Sequence, residues 1–135
     1  MRIVLDTNVL VAGLLNPVGA CGRLLDLVLD GAVVCSADER ILQEYEEVLR
    51  RARLALPAGP VREVLAFLRQ SADLVAPLPL DRKLPDPDDL PFLEVAAAAG
   101  AILVTGNLRH FPKKALGRVT VVSAAESLDL LRRSA

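Results

Sequence analysis

Histidine, cysteine and aromatic residues are scarce in this sequence of 135 residues. One histidine and two isolated cysteines, Cys21 and Cys35, are too few for a zinc site built from imidazole or thiolate ligands, and no CxxC pair indicates redox chemistry. Aromatic residues make up 3% of the chain and hydrophobic residues 53%, so we expect an aliphatic core. The length fits one domain, spanning residues 1–135.

Several familiar motifs and segments are also missing. The sequence has no Gly-rich dinucleotide fingerprint, no P-loop and no GxSxG elbow. It lacks an 18-residue apolar stretch and a basic start followed by a long apolar segment, so neither a transmembrane helix nor a signal peptide is expected. Reduced, buried cysteines would suit a cytoplasmic protein. The net charge of −1 provides no overall basic field, so a polyanionic substrate would need local patches or metal ions.

Short apolar runs alternate with amphipathic segments along the chain. The pattern predicts strands over residues 3–5, 32–35, 74–76, 102–104 and 119–122. It predicts helices over residues 9–15, 20–29, 38–53, 61–71, 90–99 and 124–131. Such alternation is typical of a mostly parallel sheet that is covered by helices on both faces.

Small polar side chains follow two of the predicted strands. Asp6 and Asn8 come directly after the first strand, and Thr105 and Asn107 follow the fourth. Ligands of open α/β sheets bind at the carboxyl ends of the strands, so these residues could share one site. The alternatives are that Asp6 or Asn8 only caps the next helix and that Thr105–Asn107 is an ordinary turn.

The third predicted helix carries three glutamates that could join Asp6. At about 100° per residue, Glu44 and Glu46 each lie roughly 95–105° from the centre of the apolar stripe, on opposite flanks. Glu47 points nearly away from the stripe. Periodicity therefore disfavours Glu47 as a site residue and does not choose between Glu44 and Glu46. The alternative for each is a charge on the solvated face of the helix.

A loop before the fifth helix has three acids in four positions, Asp86, Asp88 and Asp89. Helix capping explains one of them but not readily all three, because neighbouring carboxylates repel each other unless a cation lies nearby. Hard oxygen ligands select Mg²⁺ or Mn²⁺. Two such ions can activate a water and stabilise the leaving oxygen of a phosphodiester without any histidine.

Four motifs in this order, at residues 3–10, 41–49, 86–93 and 103–112, resemble the PIN-domain family of metal-dependent ribonucleases. The branch that they resemble most is that of the prokaryotic VapC-type toxins of toxin–antitoxin pairs. The resemblance covers nearly the whole chain. It implies a three-layer α/β/α sandwich with a central, mostly parallel five-stranded sheet of order 3-2-1-4-5, in which strands 1 and 4 lie side by side.

The resemblance also implies a site. It favours Glu44 over Glu46 and Asp89 within the loop, and the family's catalytic and metal-binding positions then fall on Asp6, Glu44, Asp89 and Asn107. The cofactor would be Mg²⁺ or Mn²⁺. Supporting roles fall to Asn8, Thr105, Asp86 and Asp88. The fourth position is often Asp, and the neutral amide of Asn107 should hold a second ion less tightly. His110 is expected to have a structural role, bonding to the backbone of its turn.

The expected function is that of an endoribonuclease, the toxin of a type II pair, with an antitoxin partner and a homodimeric state. The basic residues considered for RNA contacts, with a solvated surface as the alternative, are Arg23, Arg109, Lys113 and Lys114. Two rival functions remain. One is a degenerate PIN domain that acts as a scaffold. The other is a haloacid-dehalogenase-type phosphatase, which Asn8 disfavours because that family usually has Asp two residues after its nucleophile.

Overall fold

The computed structural model describes residues 1–134. Its strands are β1 Arg2–Leu5, β2 Val34–Ala37, β3 Asp73–Leu74, β4 Ile102–Val104 and β5 Val121–Val122. Its α-helices are α1 Thr7–Leu15, α2 Ala20–Leu29, α3 Glu39–Leu49, α4 Ala58–Ser71, α5 Leu90–Ala99 and α6 Ala124–Ser134. Four short 3₁₀ turns cover Ala52–Leu54, Pro87–Asp89, Leu108–His110 and Lys113–Ala115.

The five strands form one sheet in the order β3-β2-β1-β4-β5, and every pair is parallel. This confirms the expected sandwich and strand order. β1 is central, with Ile3 facing Cys35 on one side and Ile102 on the other. Because Leu5 pairs with Val104, β1 and β4 end next to each other.

The aliphatic core is built around β1, where Ile3 and Val4 have no exposed surface. Helix α5 packs on β1, β2 and β4, while α2 packs between α1 and α6. The hydroxyl of Tyr45 in α3 donates a hydrogen bond to the carbonyl of Leu5 over 2.5 Å. This contact fixes α3 against the end of β1, where the acidic residues begin.

Several element boundaries differ from the sequence predictions, among them those of β2, α3 and α4. β2 lies two residues later than expected, because buried Ser36 belongs to the strand and its hydroxyl donates to Asp73 in β3 at 3.3 Å. Helix α3 stops at Leu49 and gives way to a 3₁₀ turn. Helix α4 starts at Ala58 rather than Val61, since Pro60 fits the first turn of a helix, where no backbone donor is needed.

No single helix within residues 1–134 is long and apolar enough to cross a membrane. Helices α1 and α2 reach the required length and hydropathy only as a pair, and the pair is bent by 102°.

Candidate active site

The carboxyl ends of β1 and β4 bring Asp6 and Thr105 together. The Asp6 amide donates to the Val104 carbonyl at 2.9 Å, which continues the pairing of the two strands by one step. Asp6 is only 5% exposed, and its Oδ2 accepts from the Thr105 hydroxyl at 2.8 Å and from the Asn8 side-chain amide at 3.3 Å. The side-chain Oδ1 of Asn8 accepts from the Gly106 backbone amide at 2.9 Å. Asn8 therefore links the two strand ends and orients Asp6.

Helix α3 turns Glu44 toward this point. The Thr7 hydroxyl donates a hydrogen bond to Glu44 Oε2. Glu46 lies on the other flank of the helix, where its carboxylate is 3.4 Å from Arg69 in α4 and 3.7 Å from Arg50. Glu47 is three-quarters exposed. Of the three glutamates, Glu44 is the one that the fold places beside the strand end.

The loop before α5 brings the remaining acids. Asp89 ends the 3₁₀ turn at the start of α5, and its side chain is 13% exposed. Asp86 accepts a hydrogen bond from the Asp88 amide at 2.9 Å and so caps that turn. With Glu44, these three acids line one cavity of about 450 Å³.

His110 has a different partner from the one expected. Its Nδ1 lies 2.8 Å from Asp89 Oδ2, so the ring donates to a site carboxylate instead of bonding to the backbone of its turn. Asp86, Asp89 and His110 offer ligand atoms that all lie within 4.8 Å of one another. The sequence carried a weak signal for this contact, since His110 lies three residues after Asn107 in a turn that follows β4.

Asn107 contacts the site through its backbone amide, which donates a hydrogen bond to the Thr105 hydroxyl at 3.0 Å. Thr105, completely buried, therefore accepts from Asn107 and donates to Asp6. Asn107 also lines a second cavity of about 510 Å³ together with Thr105, Gly106 and Arg109.

The three principal acids all have raised pKa values. Burial is the main cause for Asp6, where the Thr105 hydrogen bond acts in the opposite direction and the charge of Asp89 adds to the rise in pKa. Burial also raises the pKa of Glu44, with a further contribution from the Asp6 charge. The pKa of Asp89 rises through burial, against the His110 hydrogen bond. Three carboxyls thus crowd one another at a desolvated point.

The four basic residues considered for RNA contacts lie in different places. Arg109 lines the second cavity, next to Asn107. Arg23 lines a cavity of about 700 Å³ between α2 and α6, whose lining contains Met1 and none of the four proposed ligands. Lys113 and Lys114 are exposed on the last 3₁₀ turn and line neither cavity beside the acids.

Acidic residues that converge at the carboxyl end of a parallel sheet of order 3-2-1-4-5 place this chain in a known class. The PIN domain model matches residues 2–109, and the chain belongs to the PIN-domain family. An uncharacterized protein of Methanocaldococcus jannaschii, MJ1680, is 29% identical over 110 residues, which are 79% of this chain and 71% of that protein.

Two solved structures share the fold. One is VapBC2 from Rickettsia felis, bound to a DNA fragment from their promoter. It aligns with a TM-score of 0.61 and 15% identity over 91% of this chain and 98% of that chain. The other is PAE2754 from Pyrobaculum aerophilum, with a TM-score of 0.59 and 18% identity over 98% of this chain and 90% of that chain.

Proposed function

We propose that this PIN-domain protein is an Mg²⁺- or Mn²⁺-dependent endoribonuclease and that residues 1–135 act as a single domain. The observation that carries the proposal is the convergence of Asp6, Glu44 and Asp89, which come from three separate segments and whose pKa values are all raised. Within residues 1–134, neither Asp6 nor Glu44 pairs with a lysine or arginine. A divalent cation would relieve this uncompensated charge.

The residues present fit such an ion. Asp6, Glu44 and Asp89 would hold it through carboxylate oxygens, and Asn107 would offer an amide oxygen, all of them hard donors. When bound, the ion supplies Lewis acidity toward the phosphate and lowers the pKa of a water. We propose that the neutral amide of Asn107 holds a second ion weakly.

The protein's own groups would keep these ligands in place. Thr105 and Asn8 donate to Asp6 and fix the direction of its free oxygen, while Thr7 does the same for Glu44. His110 holds Asp89. Asp86 and Asp88 are then supporting acids that cap the turn and line the cavity. Such outer hydrogen bonds tune both the geometry and the affinity of a metal site.

The test is the cleavage of RNA by wild type and by Asp6→Asn in the presence of Mg²⁺. The amide oxygen of Asn can still accept from Thr105, so this variant should fold while losing the charge. We expect wild type to produce fragments with 5′-phosphate and 3′-hydroxyl ends and the variant to produce none. Equal cleavage by both would refute the assignment, and a wild type that neither cleaves RNA nor binds Mn²⁺ would favour a scaffold.

We further propose that the chain is the toxin of a toxin–antitoxin pair, acting in the cytoplasm as a homodimer. Support comes from the fold that it shares with a chain of the VapBC2 structure. Co-expression with the product of a small adjacent reading frame should give a stable complex in which RNA cleavage is suppressed. A purified protein that cleaves RNA but finds no such partner would be a nuclease of another kind.

A further inference from the structure

The acidic cavity continues into a groove that ends at two arginines. We call it the α1–α3 groove. It runs from Glu44 and Asp89 between α1 and the end of α3 to Arg51 and Arg53. Leu49, the last residue of α3, lies five residues beyond Glu44, about 7.5 Å along the helix at 1.5 Å per residue, and Arg51 follows two residues later. The chain turns there because α3 ends at Leu49 and a 3₁₀ turn that carries Arg53 follows it.

Both guanidinium groups are available to an anion. Within the described residues, Arg53 forms no ion pair, and Arg51 pairs only with Glu47 at 3.5 Å. The Glu47 side chain is 75% exposed and that of Arg51 is 42% exposed. A surface pair of this kind contributes little free energy, so a phosphate can displace Glu47. Arginine also binds phosphate through two parallel hydrogen bonds.

The wall between the acids and the arginines is aliphatic, formed by Val11, Ala12, Leu15, Val48 and Leu54. Leu15 is 59% exposed, so apolar surface is open to a ligand. A volume of about 450 Å³ lies within the roughly 300–1,000 Å³ that holds one small ligand, so a short segment of a single strand fits the groove. Sugars and bases could lie against this wall while the arginines hold a phosphate.

The second cavity meets the groove from the other side. Asn8 lines the groove, Gly106 lines the second cavity, and the two residues are joined by their hydrogen bond of 2.9 Å. Arg109 lies in the wall of the second cavity. A strand that crosses Asp6 would therefore meet Arg109 on one side and the arginine pair on the other.

We propose that the α1–α3 groove is a binding subsite for single-stranded RNA, in which Arg51 and Arg53 hold a phosphate beyond the one that is cleaved. This inference rests on the proposed ribonuclease function and adds the path of the substrate. Among the described residues that line the groove none is aromatic, so it offers no ring for a base to stack on. Recognition there is electrostatic and tolerant of sequence.

The test measures binding without cleavage. A labelled single-stranded RNA of about ten nucleotides is titrated in EDTA between about 50 and 200 mM salt with wild type and with the double variant Arg51→Gln/Arg53→Gln. The matched control is Arg118→Gln/Arg132→Gln, which removes the same charge from two exposed positions outside the groove. Arg118 lines a cavity near the start of β4, and Arg132 lines the cavity that contains Met1. In the plot of log affinity against log salt, the slope should fall by about 0.7 for the groove variant, because the two arginines together neutralise one phosphate.

The control should keep the wild-type slope. In cleavage assays with Mg²⁺, the groove variant should show a raised KM with kcat unchanged, because the arginines bind the substrate away from the reacting phosphate. A groove variant that keeps the wild-type slope overturns this subsite, even where wild type cleaves RNA, and assigns the arginines to solvent or to an acidic protein partner. A wild type that neither binds nor cleaves RNA overturns both proposals.

Discussion

A buried glutamate outside the acidic cluster offers a sharp test of how the site is held together. Glu94 in α5 is 5% exposed. One of its oxygens accepts from Arg40 at 2.9 Å and the other from the Leu80 amide at 2.7 Å. Arg40 precedes Glu44 by four residues, and Glu94 follows Asp89 by five. The ion pair thus joins α3, which carries Glu44, to α5, which begins directly after Asp89, and it lies about one turn from each of these two acids.

The perturbation is Glu94→Gln, which keeps the shape of the side chain. The amide oxygen can still accept from Leu80, but the amide nitrogen would face the Arg40 guanidinium, so one charge-assisted bond is lost. Such bonds contribute about 1.5–3 kcal/mol. Arg40 is half exposed and keeps its two bonds to Asp38, so a discounted loss of about 1–2 kcal/mol is expected.

Two assays separate positioning from general loss of stability. Urea unfolding should give the loss in unfolding free energy with an unchanged m-value. Calorimetry should show Mn²⁺ affinity reduced by about tenfold, the low end of the range for residues that orient metal ligands. The control, Val28→Ala, deletes buried apolar atoms in α2, a helix that does not line the acidic cavity, and should cost a similar stability while leaving Mn²⁺ affinity unchanged.

The proposed role of Glu94 would be refuted if Glu94→Gln were as stable as wild type, or if Val28→Ala weakened Mn²⁺ binding as much as Glu94→Gln does. The first result would mean that the buried pair contributes nothing net. The second would mean that metal affinity follows overall stability and not the placement of α3 against α5.

Other residues of the site and the core can be tested in the same way. Glu44→Gln should abolish RNA cleavage while Glu46→Gln, which loses only surface pairs with Arg50 and Arg69, should cleave at the wild-type rate; equal activities would refute the choice of Glu44. Without metal, wild type should lose stability as the pH rises above 3.8, because the folded state holds the Asp6 proton to a higher pH than the unfolded chain does. Asp6→Asn lacks this proton, so its stability relative to wild type should increase over the same pH range. A relative stability that decreases with pH would contradict the raised pKa of Asp6. Burial raises the pKa of Cys35 to about 12, so alkylation at pH 8 followed by mass spectrometry should label half-buried Cys21 first and Cys35 only after unfolding.

The positions of the strands and the meeting of Asp6 with Thr105 at one edge follow from local sequence, whereas the strand order came from the resemblance to the PIN-domain family. Apolar runs that end in small polar residues mark strand ends, and parallel strands bring those ends to one edge. The place of Ser36 inside β2 was not predicted, because serine is ordinarily a helix-start residue. Its hydrogen bond to Asp73 in β3 explains how this polar side chain lies in a buried strand.

The choice between Glu44 and Glu46 could not come from periodicity, because both lie at the same angle from the apolar stripe. The fold separates them through distant partners, Thr7 for Glu44 and Arg69 for Glu46. The contact between His110 and Asp89 likewise joins residues 21 positions apart. The place of Arg51 in the α1–α3 groove could not be predicted, because the sequence puts this arginine near a helix end, where the helix dipole alone favours a cation.

The central claim is that Asp6, Glu44 and Asp89 bind a divalent cation together, and calorimetric titration with Mn²⁺ near pH 7 tests it most directly. Wild type should bind Mn²⁺ and release protons, seen as a heat that depends on the buffer, because carboxyls with raised pKa values must lose any bound proton when they take up the ion. Asp6→Asn should lose this binding and keep its fold. Equal Mn²⁺ binding by wild type and Asp6→Asn, or none by wild type, would contradict the claim.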